Sequence, residues 1–351
     1  MATVNSKRVF YTSPIPPVGF VDKLGQRPDI TVDYLLQATA DTDADKILAA
    51  AHVYQIGSAR DELLPKLHAH SDLLKRTPNL LVVSTGGAGY DTVNVKHCTD
   101  AGVLVVNQTG GNKQAVAEHV VALMLMLSKR IMETDRNLRR GTLGDRAKFM
   151  GHDVFGKTVG IVGLGNVGGT IARLCNTLLQ MRVLAYDPYL SAEVVRERGA
   201  EKVTLDELLR NSDFVSTNCP LTDETRGMIG AREYALMKPT AFYMNTARGF
   251  IHDEAALADV LRNKKIAGAG LDVWSKEPPG AEHPLMAFDN VIVSPHTAGV
   301  TIEARAKMGQ FAADQVLDLL DGRYPPRPVN PEVWPAYATR FEKTFGIKPQ
   351  R

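Results

Sequence analysis

The hexad Gly163-Leu164-Gly165-Asn166-Val167-Gly168 constrains this chain more than any other stretch, because of what flanks it. Residues 158–162 form a short β-branched and aliphatic run that reads as a strand. After the glycines, Val167, Ile171, Leu174 and Leu178 recur every three or four residues, the spacing of one helix face. A strand that turns into a helix over so few residues uses each glycine differently. The first permits the tight turn, the second lets the backbone approach a pyrophosphate, and the third lets helix and strand pack closely. The helix N-terminus then offers partial positive charge to the anion. Asp187 closes the next expected strand, residues 182–186, about 20 residues beyond the last glycine. A carboxylate there accepts hydrogen bonds from the adenine-ribose hydroxyls and repels the extra phosphate of NADP, so the expected cofactor is NAD.

The same alternation runs along most of the chain, which at 351 residues has room for about two domains. Short apolar runs ended by Gly, Ser or Asn predict strands at residues 8–12, 52–56, 80–85 and 103–106, and further strands at 214–217, 241–245, 267–273 and 291–293. Thr204 with Glu207 reads as a capping box opening a helix. Residues 114–140 predict one long helix with Val116, Val120, Leu123, Leu127 and Ile131 at helical spacing. Gly141, Gly144 and Gly151 then break it, in what reads as a connector between domains. Residues 301–321, stopped by Gly322 and Pro325, predict a terminal helix. Strands separated by helices imply right-handed crossovers and a parallel, doubly wound α/β sheet.

Composition narrows the partners. Lys plus Arg number 41 against 39 Asp plus Glu, a net charge of +2, so no basic field calls for nucleic acid. Cys98, Cys175 and Cys219 are scattered without C-x-x-C spacing, which fits a reducing compartment, the cytoplasm by default, and argues against a disulfide framework or a zinc site. His52, His68, His70, His97 and His119 have no metal-ligand spacing, and no metal is expected. The start of the chain lacks the apolar stretch of a secretory leader, and the longest apolar run, residues 120–127, is too short to span a bilayer.

Three polar residues lie just past the ends of successive expected strands: Arg248, Glu277 and His296. In an open parallel sheet those ends face the ligand crevice, so the three should converge beside a bound nicotinamide. Singly, a loop Arg, a Glu before Pro278-Pro279 and a His after a strand are ordinary. Jointly, in a sheet with a dinucleotide loop, they suit hydride chemistry. His296 titrates in the range of a general acid or base, Glu277 would favour its protonated form and orient it, and Arg248 offers a planar fork to a carboxylate.

These residues make the chain resemble the D-isomer-specific 2-hydroxyacid dehydrogenases, most closely over residues 80–301. Thr85-Gly86-Gly87-Ala88-Gly89-Tyr90-Asp91 is similar to the family's substrate loop, and Asn107 with Ala115-Val116-Ala117-Glu118 to its hinge region. Gly156-Lys157-Thr158-Val159-Gly160 leads into the glycine loop as it does in the family. Asn245-Thr246-Ala247-Arg248-Gly249, Asp272-Val273-Trp274-Ser275-Lys276-Glu277-Pro278 and Ser294-Pro295-His296-Thr297-Ala298-Gly299 match the stretches that carry the Arg, the acid and the His.

The resemblance implies a Rossmann-type NAD-binding domain, residues 121–298, inserted into a flavodoxin-like substrate domain made of residues 1–120 and 299–351. It also implies homodimers and a cleft that closes on substrate. It implies carboxylate binding by Ala88 and Gly89, with Arg248 and His296 also on the substrate. The cofactor contacts it implies come from Val116, Gly163, Gly165, Asn166, Val167, Gly168, Asp187, Cys219, Pro220, Thr225, Thr246, Ala247, Arg248, Asp272, His296 and Gly299.

Thr217-Asn218-Cys219-Pro220-Leu221-Thr222 departs from the His that many members carry and looks like the formate dehydrogenases, yet those replace the catalytic acid with Gln, and Glu277 argues against formate. The chain ends soon after residue 321, so the regulatory domain of some phosphoglycerate dehydrogenases is not expected. Gln55-Ile56-Gly57-Ser58-Ala59-Arg60 is placed near the cleft, with Arg60 either on a second acidic group of the substrate or solvated. The expected function is hydride transfer between NAD(H) and a 2-hydroxy acid/2-keto acid pair, D-specific, of the glyoxylate, hydroxypyruvate, pyruvate or phosphoglycerate class. The alternative is an NAD(H)-sensing protein of the corepressor type.

Overall fold

A computed structural model describes residues 6–13, 16–39, 41–60 and 63–351. Residues 1–5, where the absence of a leader was read, lie outside them. The chain divides into two compact units: one formed by residues up to Asn112 and from Thr301 onward, the other by Lys113–Val300.

The first unit is built on a parallel five-stranded sheet of β1 (Lys7–Tyr11), β2 (Ile30–Tyr34), β3 (Val53–Ile56), β4 (Val82–Thr85) and β5 (Leu104–Val106), in the order β2-β1-β3-β4-β5. This is the flavodoxin-like order. Val9, Val53, Val82 and Leu104 stand in register across it, on a face covered by Phe20, Leu24 and the helices Ile302–Leu320 and Trp334–Phe345. Phe10, Tyr54, Val83 and Val105 fill the other face with Leu48, Leu73 and Cys98. With both faces covered, the strands are near-continuous apolar runs.

The second unit carries β6 (Thr158–Val162), β7 (Arg182–Tyr186), β8 (Glu201–Lys202), β9 (Phe214–Thr217), β10 (Phe242–Asn245), β11 (Gly268–Leu271) and β12 (Val291–Val293). All are parallel, in the order β12-β11-β10-β9-β6-β7-β8. The chain winds one way from β6 and the other way from β9, so the topological switch point lies between those two strands. Val162, Thr217, Asn245, Leu271 and Val293 share one register row. The residues that follow each of them therefore line one edge of the sheet. Both units are doubly wound, as the sequence implies, and the capping box of Thr204 and Glu207 is formed.

Three expectations need correction. The helix expected over 114–140 is two, Lys113–Ser128 and Ile131–Arg139, because the Ser128 carbonyl accepts the His152 N–H at 2.8 Å and Arg130 turns left-handed at φ 55°. Nor does the glycine-rich stretch after it part the units. Helix Lys113–Ser128 buries Val120, Leu123, Met124 and Leu127 against Ile161, Ile171, Cys175 and Met244, so it belongs to the second unit, and the boundary precedes it. Helix Ile302–Leu320 is not the last, because Trp334–Phe345 follows it.

Candidate active site

The glycine loop sits at the switch point of the second unit. Gly163 has φ +89°, and its N–H donates to the Tyr186 carbonyl at 2.9 Å; a β-carbon there would lie 2.8 Å from the Cys219 backbone nitrogen. The loops after β6 and β9 thus touch. A β-carbon on Gly168 would overlap the Gly163 carbonyl oxygen, so helix Asn166–Leu179 packs onto the turn only with glycine there. Gly165 caps this helix without a side-chain bond, and the space where its β-carbon would stand is open. Asp187 is held at the end of β7: its Oδ2 accepts the Leu164 N–H at 3.0 Å and its Oδ1 the Tyr189 N–H at 3.1 Å.

On the other side of the switch point, Thr225 Oγ1 donates to the Pro220 carbonyl at 2.7 Å and accepts from the Thr222 N–H at 2.8 Å, which shapes the loop after β9. Asn218 folds back on Ser216, its Nδ2 donating to the Ser216 carbonyl at 2.9 Å. Burial pushes the Cys219 thiol up to about 11, so it stays protonated.

Arg248 follows β10 in a turn organised by Asn245, whose Oδ1 accepts the Ala247 N–H and whose Nδ2 donates to the Arg248 carbonyl, both at 2.9 Å. Glu277 Oε1 accepts the Trp274 N–H at 3.0 Å, and its Oε2 lies 2.7 Å from His296 Nδ1. The hydrogen bond to Glu277 raises the His296 pKa against the opposing effect of burial and the Arg248 charge. Burial works to raise the Glu277 carboxyl, but its bonds to His296 and Trp274, with the nearby Arg248 charge, hold it below the usual range. The sheet edge therefore brings together the imidazole, its carboxylate and the field of the guanidinium.

In the first unit, the loop after β4 is braced by Gln108, whose N–H donates to the Gly87 carbonyl at 2.9 Å, and by Asn107, whose Nδ2 donates to the Ala88 carbonyl at 2.9 Å. The Ala88 and Gly89 N–H groups meet no acceptor among the described residues. Arg60 is exposed, and its Nε donates to the Asp91 carbonyl at 3.0 Å, so it braces the same loop.

Residues 121–298 match the family model of the D-isomer specific 2-hydroxyacid dehydrogenase, NAD binding domain. The chain belongs to the D-isomer-specific 2-hydroxyacid dehydrogenases. It is 38% identical over 278 residues to a D-3-phosphoglycerate dehydrogenase of Archaeoglobus fulgidus, a match covering 76% of this chain and 52% of that protein. It is 40% identical over 268 residues to a glyoxylate reductase of Aeropyrum pernix, covering 75% and 80%. Among solved structures, a glyoxylate reductase from Paecilomyes thermophila superposes with a TM-score of 0.82 at 26% identity, over 93% of this chain and 99% of that one. The chain spans about half the length of the phosphoglycerate dehydrogenases it matches.

The NAD-binding domain matched by residues 121–298 has the features a dinucleotide requires. The helix behind Gly165 has no side-chain cap to compete with a phosphate, Asp187 is fixed beside the turn, and Thr246 Oγ1 is buried at the end of β10 with no hydrogen-bond partner among the described residues. Reading the sequence missed how His296 is held. Asp272, expected against the cofactor, is 1% exposed and commits both oxygens to the turn carrying the histidine. Its Oδ1 accepts from Ser294 Oγ at 2.6 Å and the Thr297 N–H at 2.7 Å, and its Oδ2 accepts the Ala298 N–H at 2.9 Å. An acid closing an otherwise apolar strand was the available signal. No group of three or more His, Cys, Asp or Glu among the described residues is placed to hold a metal ion. No helix among them is long and apolar enough to cross a membrane.

Proposed function

We propose that this chain is an NAD-dependent oxidoreductase that interconverts a D-2-hydroxy acid and its 2-keto acid. The observation that carries the reading is the pair of His296 Nδ1 and Glu277 Oε2 at 2.7 Å, which leaves Nε2 as the atom that exchanges a proton with substrate. In reduction, Nε2–H protonates the carbonyl oxygen as its carbon becomes an alcohol; in oxidation, Nε2 takes the hydroxyl proton. Glu277 keeps the ring oriented and favours the imidazolium. Arg248 anchors the carboxylate and stabilises charge developing on the carbonyl oxygen. The Ala88 and Gly89 N–H groups are donors for the substrate carboxylate, a role supported by the resemblance of their loop.

NAD(H), when bound, supplies or receives the hydride. Its pyrophosphate would rest on Gly165, Asn166 and Val167, in a turn shaped by Gly163 and Gly168, with its adenosine held by Asp187, Cys219, Pro220 and Thr225. Val116, Thr246, Ala247, Arg248, Asp272, His296 and Gly299 would flank the nicotinamide, with Asp272 acting there through the turn it holds. The carboxylate of Asp187 favours NAD over NADP.

The substrate class is that of glyoxylate, hydroxypyruvate, pyruvate or phosphoglycerate, and the names of the relatives support the first and the last of these. Three free cysteines suit a cytoplasmic enzyme. A homodimer is supported by Ile131, Leu138, Met150 and Phe155, large apolar side chains left exposed in the second unit.

The test is loss of NADH absorbance with a panel of glyoxylate, hydroxypyruvate, pyruvate, phosphohydroxypyruvate and branched 2-keto acids. Turnover of at least one member is expected. Silence on every member, with NADH still bound, would replace the reading by that of a corepressor-type sensor.

A further inference from the structure

The segment that carries Arg248 also carries a histidine with no part in the roles assigned so far. His252 is 3% exposed, and its Nδ1 lies 2.9 Å from Asn245 Nδ2. The orientation of the Asn245 amide is fixed by two backbone partners: Oδ1 accepts from Ala247 N–H, and Nδ2 donates to the Arg248 carbonyl. Nδ2 is thus a donor and His252 Nδ1 an acceptor, which makes the imidazole neutral with its proton on Nε2. That Nε2 is buried without a hydrogen-bond partner among the described residues. Burying an unsatisfied donor is a penalty an aliphatic side chain of similar size would avoid, so the ring's gain lies at Nδ1.

The surroundings keep it neutral. The Tyr243 ring lies 5.6 Å away and is itself edge-packed on Tyr234. The charged and titratable groups facing it are Glu254, Asp253 and His283, together with the Gly249 backbone. Burial outweighs the two carboxylates and pushes the imidazole down to about 4.

The same segment is docked on the one that carries Glu277. A β-carbon on Gly249 would overlap the Trp274–Ser275 peptide. Glu254 Oε1 accepts the Ser275 N–H at 2.6 Å, and its Oε2 faces His283 Nε2 at 3.1 Å. A shift of the Arg248 turn would therefore be felt at Glu277.

We propose that His252 is a positioning residue for Arg248: its Nδ1 anchors the Asn245 amide that grips the Ala247 N–H and the Arg248 carbonyl, and so sets where the guanidinium meets the substrate carboxylate. The proposal deepens the dehydrogenase reading, and its kinetic arm rests on it. The first arm does not. In the full-length chain labelled with 15N-histidine, long-range 1H–15N correlation should show His252 as the Nε2–H tautomer, neutral down to about pH 5. An Nδ1–H tautomer, or titration near an ordinary ~6.5, overturns the proposal.

In the second arm, His252→Leu removes the acceptor and should raise KM for the 2-keto acid about tenfold, by a larger factor than KM for NADH. His252→Asn, which offers Oδ1 in place of Nδ1, should restore KM to within about twofold of the parent. Unchanged KM in the Leu variant, or an equal rise in both variants, overturns the proposal. A parent that reduces no 2-keto acid sinks the dehydrogenase reading and leaves the tautomer to decide this one.

Discussion

His296 occupies a left-handed backbone conformation, φ 57°, which a side chain with a β-carbon adopts only where its neighbours enforce it. Here the enforcement comes from Asp272: its backbone carbonyl accepts the His296 N–H at 2.7 Å, and its carboxylate binds the residues on either side. The imidazole is thus placed twice, through its backbone by Asp272 and through Nδ1 by Glu277. Replacing the ring by His296→Ala should lower kcat about a thousandfold with NADH affinity retained, checked by turnover and by NADH fluorescence titration. The pH dependence has a defined sign. Reduction needs the protonated imidazole, so kcat/KM holds below the raised His296 pKa and falls as pH rises through it. Oxidation shows the mirror image. Glu277→Gln removes the largest cause of the upward shift, so the fall should move to lower pH in a pH–rate profile of reduction.

At the scale of elements, the strand-turn-helix of β6 and the glycine loop was readable because each residue has one task there. Glycine enforces the turn, the apolar spacing enforces the helix, and Asp187 ends β7. Asp187→Ser removes a charge that repels an added phosphate and weakens the grip on Leu164 and Tyr189. KM for NADH should rise about tenfold, with NADPH becoming usable, measured by initial rates with each cofactor. Other elements left weaker marks. β2 alternates Ile30 and Val32 with Thr31 and Asp33 at the sheet edge, where Asp33 pairs with Arg8 at 2.8 Å, and so few apolar residues do not distinguish a strand from a loop. Helix Trp334–Phe345 is hidden by Pro331 and Pro335, which punctuate the sequence yet are tolerated in a first turn. That helix is part of the core: Tyr337 and Phe341 are fully buried under the first unit's sheet. Phe341→Ala should destabilise the protein by about 3–5 kcal/mol, read as a lower midpoint in urea.

Across the whole molecule, the fold class and the place of the candidate residues were legible for the same reason. A doubly wound sheet puts its ligand-binding residues at strand ends, so the residue after each apolar run is worth naming. Arg248, Glu277 and His296 are candidates named that way, and Asn245, Asp272 and Ser294 occupy the same edge. What could not be read were side-chain interactions that leave no periodic trace, whether between residues distant in sequence, such as the bond of His119 Nε2 to Ser294 Oγ at 3.2 Å, or within one irregular segment, such as the buried pairing of His252 with Asn245. The domain limits were blurred because helix Lys113–Ser128 is apolar on most of its surface, and only its neighbours reveal which unit owns it. The chemistry proposed for these groups is stereospecific as well as NADH-linked. Chiral chromatography of the 2-hydroxy acid formed from whichever prochiral 2-keto acid the intact protein reduces fastest puts both properties to one test. A single D enantiomer, formed in step with NADH consumed, is the predicted result; an L or racemic product, or none, contradicts it.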